Sequence, residues 1–242
     1  MKDRDARVSY SISTWRQDAP LTTSPARSSL VADIALRIAT LSTGRVAVGI
    51  DGRTASGKTS FGHDLAAGVA RTGRPVLRAC LDDYKKPWAD RHLYDRETGG
   101  GYYRNAFDYD AVRRLLLEPI HTAGPASVAL CSIDPLTQQD HSAILTPVSD
   151  DAVLIVDGVF AFRPELNNYW NLRIWLDIDR ATAIKRGSTR DRNWSGSDTE
   201  TLHINRYAAA EDFYMTEANP TTIADIIIDN HNFASPHIKP KS

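Results

Sequence analysis

The chain has 242 residues, with a hydrophobic fraction of 42% and a charged fraction of 24%, which is typical of a globular protein with one or two domains. Its formal net charge of −1, with scattered basic residues, gives no electrostatic reason to expect a nucleic-acid partner. The charged N-terminus has no apolar run behind it, and no segment approaches the roughly 20 apolar residues of a membrane span, so we expect a cytoplasmic protein without a membrane partner.

The first residues of the chain differ in composition from the rest. Residues 1–28 are rich in Ser, Thr, Pro and charge and are predicted to be an N-terminal extension. After Pro25, apolar residues at helical spacing predict an amphipathic helix that ends at Gly44. Because no second linker or internal repeat follows, residues 29–242 are predicted to be a single domain.

Short apolar runs alternate with amphipathic segments through this domain. The runs predict strands at residues 45–51, 76–81, 127–131, 152–156, 172–176 and 224–228. Helical spacing recurs at residues 58–71, and again at Val112, Leu115 and Leu116 in a helix expected to end before Pro119. This alternation indicates βαβ units, an α/β fold and a mainly parallel sheet.

The segment between the first strand and the next helix carries the strongest motif. It reads Gly-Arg-Thr-Ala-Ser-Gly-Lys-Thr and matches the phosphate-binding loop GxxxxGK[ST]. Its glycines let backbone N–H groups turn toward phosphate oxygens, while Lys58 reaches the β- and γ-phosphates and the Thr59 hydroxyl takes a Mg²⁺ position. ATP and Mg²⁺ are therefore expected. The predicted nucleotide-binding residues are Gly52, Arg53, Thr54, Ala55, Ser56, Gly57, Lys58, Thr59 and Ser60.

Acidic residues follow two of the predicted strands. Asp157 ends one apolar run and is predicted to join Thr59 in holding the metal, the alternative being a turn-forming Asp-Gly pair. Asp82 and Asp83 close another strand, at the edge where ligands bind in open α/β sheets. A kinase benefits from a carboxylate that accepts the proton of the acceptor hydroxyl, and Asp82 is favoured for this role. The alternative is that one of the pair caps a helix.

Basic residues crowd the segment after the run at 172–176. They are Arg180, Lys185, Arg186, Arg190 and Arg192. Arginine side chains complement the charge that spreads over a phosphoryl group during transfer, and a mobile lid that carries them excludes water. The alternative is an ordinary charged surface helix. We predict a lid at about residues 186–206.

Together these residues resemble the uridine kinase family, within the wider group that includes phosphoribulokinase and the bacterial pantothenate kinases. The resemblance covers roughly residues 29–230. It rests on the segments 51–59, 81–84, 106–119, 155–159, 190–191 and 224–230. It implies a P-loop NTPase fold of three α/β/α layers, with a five-stranded parallel sheet. It also implies that Asp157 lies near Mg²⁺, where family members often have Glu. The catalytic residues it implies are Lys58, Asp82, Arg186 and Arg190.

The chain departs from the family at positions that contact the acceptor. Uridine-cytidine kinases carry an Asp that holds the ribose hydroxyls where this chain has Tyr102. They also carry a Tyr and a His that read the pyrimidine, in a segment where this chain has Ile133 and Gln138. Uridine is therefore not expected to be the best acceptor. The candidate substrate residues are Asp82, Asp83, Tyr84, Tyr102 and Tyr103.

The aromatic residues of the following loop allow two interpretations. Trp88, Tyr94, Tyr102 and Tyr103 either form an aromatic acceptor pocket or pack the loop beneath the lid. The predicted function is an ATP-dependent kinase that phosphorylates a hydroxyl of a nucleoside or nucleoside-like molecule. The alternatives are a phosphoribulokinase- or pantothenate-kinase-like specificity, and a regulatory protein that binds ATP without catalysis and does not need Asp82. A homo-oligomer is compatible with each.

Overall fold

The computed structural model of the chain describes residues 8–15, 24–195 and 198–240, with the backbone alone at 193–195. The remaining parts of the predicted extension, 1–7 and 16–23, and of the predicted lid, 196–197, lie outside the described residues. In the described ranges the strands are β1 Val8–Tyr10, β2 Val46–Gly52, β3 Val76–Cys80, β4 Ala126–Val128, β5 Thr146–Val148, β6 Val153–Asp157, β7 Leu172–Asp177, β8 Ile226–Asp229 and β9 His237–Ile238.

The main sheet of this described part has seven strands in the order β1-β3-β6-β2-β7-β8-β9. Every neighbouring pair is parallel except β8 and β9. The predicted mainly parallel sheet is thus confirmed, and its five expected strands form the centre. The two added strands pair with its edges, where backbone N–H and C=O groups are otherwise open. One of them, β1, comes from the predicted extension.

One predicted strand lies outside this sheet. The apolar run at residues 127–131 contributes only to β4, which pairs antiparallel with β5 in a separate two-stranded sheet. The prediction treated this run like the buried parallel strands because it is equally apolar. Its residues after Val128 are buried against the turn that follows β3, where Ser132 and Ile133 donate backbone hydrogen bonds of 3.0 Å to the Asp83 carbonyl.

The α-helices of the described part surround the sheet. They are α1 Pro25–Leu41, α2 Lys58–Arg71, α3 Gly99–Asn105, α4 Tyr109–Ala111, α5 Glu118–His121, α6 Pro164–Asn167, α7 Arg180–Ser195, α8 Thr199–Leu202, α9 Ala209–Ala218 and α10 Pro220–Ile223. The first begins inside the range predicted as the extension, because Ser24 accepts the Arg27 N–H as an N-cap and Pro25 occupies the first turn. No helix in the described ranges has the length and apolar character of a membrane span.

The helical stretch at residues 109–121 does not end before Pro119, so that prediction is wrong. A π-helical segment, Val112–Leu117, joins α4 to α5, and Pro119 lies in the first turn of α5. Proline leaves the carbonyl four residues earlier without its helical donor. That carbonyl belongs to Leu115, and it accepts a hydrogen bond of 3.0 Å from the Ala129 N–H instead. The helix therefore continues without a buried unsatisfied acceptor.

Hydrophobic residues on the two faces of the sheet form two cores. Val48 and Ile155 pack on one face with α1 and α2. Ala47 and Leu154, one position along each strand, face the opposite way and pack with the stretch 109–121 and α9. The result is a three-layer α/β/α arrangement in which the carboxyl ends of β2, β3 and β6 meet at one edge.

Candidate active site

The phosphate-binding loop connects β2 to α2 at this edge. Gly52 and Gly57 have φ values of 153° and 91°, in the region that favours glycine. A Cβ atom at Gly57 would lie 2.8 Å from the Asn230 side-chain nitrogen, so a larger residue does not fit. Asn230 is buried and donates a hydrogen bond of 2.6 Å to the Ser56 carbonyl. The tight turn thus depends on both glycines and on the segment after β8.

Lys58 is the first residue of α2, and its ammonium group folds back over the loop. Its Nζ donates hydrogen bonds to the backbone carbonyls of Gly52, at 2.9 Å, and Arg53, at 2.8 Å. Burial lowers the pKa of Lys58, and the nearby carboxylates of Asp51 and Glu211 partly offset that shift. Carbonyls rather than a close carboxylate hold this cation, so its charge is available to an anionic ligand.

Thr59 and Asp157 meet at the base of the site. The Thr59 hydroxyl donates to Asp157 Oδ2 at 2.7 Å, and Arg78 pairs with Asp157 Oδ1 at 2.5 Å. The side chains of Arg78 and Asp157 are 3% and 2% exposed, so this ion pair is fully buried. Gly62 in α2 makes room for it, since a Cβ atom there would overlap the guanidinium group. The pair holds the Asp157 carboxylate in one orientation, next to the Thr59 hydroxyl.

The donors at this position fit a magnesium ion that binds together with a nucleotide. Among the described residues no group of three or more His, Cys, Asp or Glu side chains is arranged to hold a metal alone. Mg²⁺ is usually bound through one or two protein oxygens, waters and the phosphates of its nucleotide. Thr59 and Asp157 supply oxygen donors of this kind beside the phosphate-binding loop.

Asp82 is the second residue of the 3₁₀ turn Leu81–Tyr84 that follows β3. Its Oδ1 lies 2.8 Å from the ammonium nitrogen of Lys85, and both side chains are partly exposed to the same cavity. Burial alone would raise the pKa of Asp82, but the positive charges of Lys85, Lys58 and Arg190 outweigh it and lower the pKa. Asp82 is therefore a carboxylate at neutral pH.

One cavity of about 400 Å³ brings the predicted groups together. It is lined by Lys58, Thr59, Asp82, Asp157, Arg186 and Arg190, among others. The cavity thus joins the phosphate-binding loop, both predicted acidic positions and two arginines of the predicted lid.

The two arginines are held by different partners. Arg186 donates to the carbonyl oxygens of Asn230, at 3.2 Å, and His231, at 2.6 Å. Arg190 forms a bidentate pair with Asp191, with distances of 2.6 and 3.0 Å. Asp191 also contacts His203 Nε2 at 2.9 Å. Although burial opposes it, hydrogen bonds from His203 and Arg190 lower the pKa of Asp191. Helix α7, which begins the predicted lid, thus contacts both the segment that follows β8 and the π-helical segment His203–Ala208.

The predicted aromatic acceptor pocket is only partly present. Tyr102 lines the cavity, but Tyr84 and Tyr103 lie in the hydrophobic core, where the Tyr84 hydroxyl donates to the Ala129 carbonyl. Trp88 and Tyr94 are exposed, at 53% and 42% of their surface. Three of the four residues of the predicted pocket, Trp88, Tyr94 and Tyr103, therefore do not line the cavity, and neither does Tyr84, a separately predicted substrate residue.

Other aromatic side chains line the cavity in their place. They are Trp15, from the predicted extension, and Tyr207, just beyond the predicted lid. The rings of Tyr102 and Tyr207 meet edge to face, with centroids 5.2 Å apart. Neither residue could be found from sequence spacing, since both lie far along the chain from Asp82.

Asp83 lies beside Asp82 but faces a different space. It is 2% exposed and lines a second cavity of about 560 Å³, next to Ser11 and Ser13. Burial raises the pKa of Asp83 to about 7, although hydrogen bonds from these two serines lower it in part. Adjacent side chains in a 3₁₀ turn point about 120° apart, which separates the two carboxylates.

Asp83→Asn is expected to change the pH dependence of stability. The folded pKa of about 7 exceeds the ordinary value of 3.8, so ionisation of Asp83 opposes folding. The free energy of unfolding of the wild type should fall as pH rises from about 4 to about 7, by up to roughly 4 kcal/mol from this group. The variant should lack that part of the fall. Urea unfolding at pH 5 and pH 8 measures both; an identical pH dependence in the two proteins would contradict the assignment.

Three further residues of the site escaped the sequence analysis. Glu211, on α9, accepts the Thr54 N–H at 2.5 Å and pairs with Arg53 at 3.0 Å, and it thereby holds the first half of the phosphate-binding loop. Arg78 is the buried partner of Asp157. A charged residue within the apolar run 76–81 is a signal that could have identified it. Glu211 gives no comparable signal, because an acidic residue is common in the sequence of a helix such as α9.

Asp51, the last of the three, is fully buried where β2 enters the loop. It accepts hydrogen bonds from Gly52 N–H at 2.7 Å, from Phe162 N–H at 3.1 Å and from the Tyr214 hydroxyl. Burial raises the pKa of Asp51 to about 6, against the effect of these bonds and of Lys58. These three hydrogen bonds fix the carboxyl group, and with it the backbone where β2 enters the phosphate-binding loop.

Comparison with known proteins connects this geometry to a family. No family model matches the chain. The uridine kinase of Lactobacillus helveticus is 24% identical over 186 residues, which cover 76% of this chain and 85% of that protein. A possible uridine kinase from Bacillus stearothermophilus has a similar structure, with a TM-score of 0.64 and 24% identity over 83% of this chain and 96% of its own. The chain is thus similar, in sequence and in fold, to uridine kinase-like P-loop kinases.

A second structural neighbour shows how far this fold extends. Phosphoribulokinase from Rhodobacter spheroides matches with a TM-score of 0.55 and 17% identity, covering 78% of this chain and 71% of its own. In this uridine kinase-like chain the cavity lies at the carboxyl ends of β2, β3 and β6, where ligands bind in open α/β sheets. The likeness to both structures concerns the fold in which this cavity lies.

Proposed function

We propose that the chain transfers the γ-phosphoryl group of ATP to a hydroxyl of a small molecule, with a nucleoside or nucleoside-like acceptor. The observation that carries this proposal is that Asp82 faces the same cavity as Lys58, Thr59 and Asp157. A protein that only binds ATP has no need of a carboxylate in the cavity of its phosphate-binding loop. The family relatives support the same class of reaction.

The residues of the loop have separate roles in this proposal. Backbone N–H groups of residues 52–60 and the Lys58 ammonium bind the phosphates of ATP. A magnesium ion held by Thr59 and Asp157 would neutralise charge on the β- and γ-phosphates. Arg186 and Arg190 line the cavity from the lid side, and they complement the charge that develops on the phosphoryl group.

The main role of Asp82 is to orient the acceptor hydroxyl. It does not need to remove the hydroxyl proton before phosphoryl transfer begins. Its pKa is lowered by Lys85 and by two other cations, so it is a weak base. Phosphoryl transfer has a loose transition state in which little proton transfer is needed before the P–O bond breaks. A fixed carboxylate that accepts a hydrogen bond from the hydroxyl, and finally its proton, meets these needs.

A specific observation favours a second candidate acceptor. The Lys85 ammonium lies beside Asp82 and lines the cavity. A partly exposed cation on the acceptor side of the cavity complements a carboxylate or phosphate on the acceptor. This arrangement suits a phosphoribulokinase- or pantothenate-kinase-like specificity, in which the acceptor alcohol is an anion.

Uridine is expected not to be the best acceptor, because Tyr102, with its ring against Tyr207, occupies a position where a ribose contact is expected. The test is an ADP-coupled assay over nucleosides, pantothenate, D-glycerate, sugars and sugar phosphates, with mass spectrometry of the products. A higher kcat/KM for a compound other than uridine or cytidine is the expected result. The highest value for either pyrimidine nucleoside would contradict the prediction.

A further inference from the structure

The N-terminal segment 8–15 brings one residue, Trp15, to the cavity that contains Asp82. Strand β1 extends the sheet by pairing in parallel with β3, and the Ser11 N–H continues this contact with a 3.1 Å hydrogen bond to the Arg78 carbonyl. The chain beyond β1 therefore runs along the carboxyl end of β3, where the turn with Asp82 begins. Trp15 lines the cavity at this point.

A buried carboxylate anchors this segment just before Trp15. Asp134 is fully buried and accepts hydrogen bonds from the Thr14 N–H at 2.6 Å and from the Thr14 hydroxyl at 2.8 Å. It also accepts the backbone N–H groups of Leu136 and Thr137, at 2.8 and 2.9 Å. These bonds outweigh the effect of burial and lower the pKa of Asp134. The backbone that precedes Trp15 is thus fixed to the loop after β4.

Trp15 lies where two cavities meet. Together with Thr59, it lines both the 400 Å³ cavity of Asp82 and the 560 Å³ cavity of Asp83. On the Asp82 side it shares the wall with Tyr102 and Tyr207. A large aromatic side chain at this boundary limits the length of an acceptor and offers it a flat apolar face.

We propose that Trp15 is a specificity-determining residue whose indole stacks on a planar ring of the acceptor, and that Thr14 is its positioning residue. This inference rests on the proposed kinase function, since it concerns the acceptor side of the same cavity. It narrows the acceptor class to ring-bearing alcohols. Stacking of a heteroaromatic ring on an aromatic side chain contributes enough to change KM by about 5–100-fold when the side chain is removed.

The test compares four variants at Thr14 and Trp15, and one control variant, with the wild type in the ADP-coupled assay. The acceptors are uridine, cytidine, adenosine and pyridoxine, which carry planar rings, and D-glycerate and pantothenate, which do not. Trp15→Ala should raise the KM of the best ring-bearing acceptor by about 5–100-fold with the KM of ATP unchanged, while Trp15→Phe should retain most of the affinity. Thr14→Val should raise the KM of the same acceptor by a smaller factor. In the double variant with Trp15→Ala, the KM should be close to that of Trp15→Ala alone. The control is Trp88→Ala, an exposed tryptophan, which should have no effect.

Binding is measured separately from turnover. In protein labelled with 5-fluorotryptophan, the ¹⁹F resonance of Trp15 is assigned as the one missing from Trp15→Phe, and the same compounds are titrated. A saturable shift by a ring-bearing compound without phosphorylation would support the inference and contradict the kinase function. A Trp15 resonance that no ring-bearing compound shifts, or an unchanged acceptor KM in Trp15→Ala, would overturn the inference.

Discussion

Replacing Asp82 by asparagine is expected to lower kcat by about 10²–10⁴-fold, with ATP affinity close to that of the wild type. The amide is nearly the same size as the carboxylate, but it cannot take the proton of the acceptor hydroxyl. The loss should fall toward the lower end of the range, because Lys85 already makes Asp82 a weak base and because the transition state is loose. The measurement is kcat at saturating substrates, beside calorimetric ATP affinity.

Asp83→Asn is the matched control for this experiment. Its carboxyl group is adjacent in sequence but faces the second cavity, so kcat should change much less. The Asp82→Asn variant removes the ion-pair partner of Lys85. A thermal melt of each variant therefore checks that the protein remains folded. A fully active Asp82→Asn with an inactive Asp83→Asn would move the role one residue along the chain. Full activity in both variants would contradict the proposed catalytic site.

Lys58→Ala is expected to reduce kcat/KM for ATP by about 10²–10³-fold, the usual effect of losing one preorganised charge at a transferring group. The Lys58 ammonium is held by the carbonyls of Gly52 and Arg53, so its removal leaves the fold intact while the phosphates lose a cation. Lys86→Ala is the control, because the Lys86 ammonium lies 4.2 Å from the ring centroid of Tyr94, an exposed residue. Undiminished turnover by Lys58→Ala at saturating ATP would show that this lysine has no part in transfer.

The parts of the fold that could be predicted are those with a local signal. Continuous apolar runs identified the five central strands, because strands covered on both faces have few polar residues. The run ending at Cys131 gave the same signal but lies outside the main sheet. The helix through Pro119 was also missed, because its missing hydrogen bond is compensated by Ala129, and a contact between distant residues leaves no local pattern.

The candidate site divides in the same way. The phosphate-binding loop and Asp82 lie in short motifs and were visible in the sequence. Trp15 and Glu211 were not, since each reaches the site through a separate element whose placement depends on tertiary contacts. The predicted substrate residues Tyr84 and Tyr103 belong to the core, where an aromatic side chain gains more from burial than from exposure in a polar cavity.

The most direct test of the proposed reaction is the fate of the γ-phosphoryl group itself. The wild-type protein is incubated with Mg²⁺, ATP and the best acceptor of the panel, and the products are followed by ³¹P NMR. The phosphate-ester resonance should grow in step with ADP, with little inorganic phosphate, because Asp82 lines the same cavity as the phosphate-binding loop. Release of ADP with inorganic phosphate alone, or no consumption of ATP with any acceptor, would contradict the proposal that the chain is a small-molecule kinase.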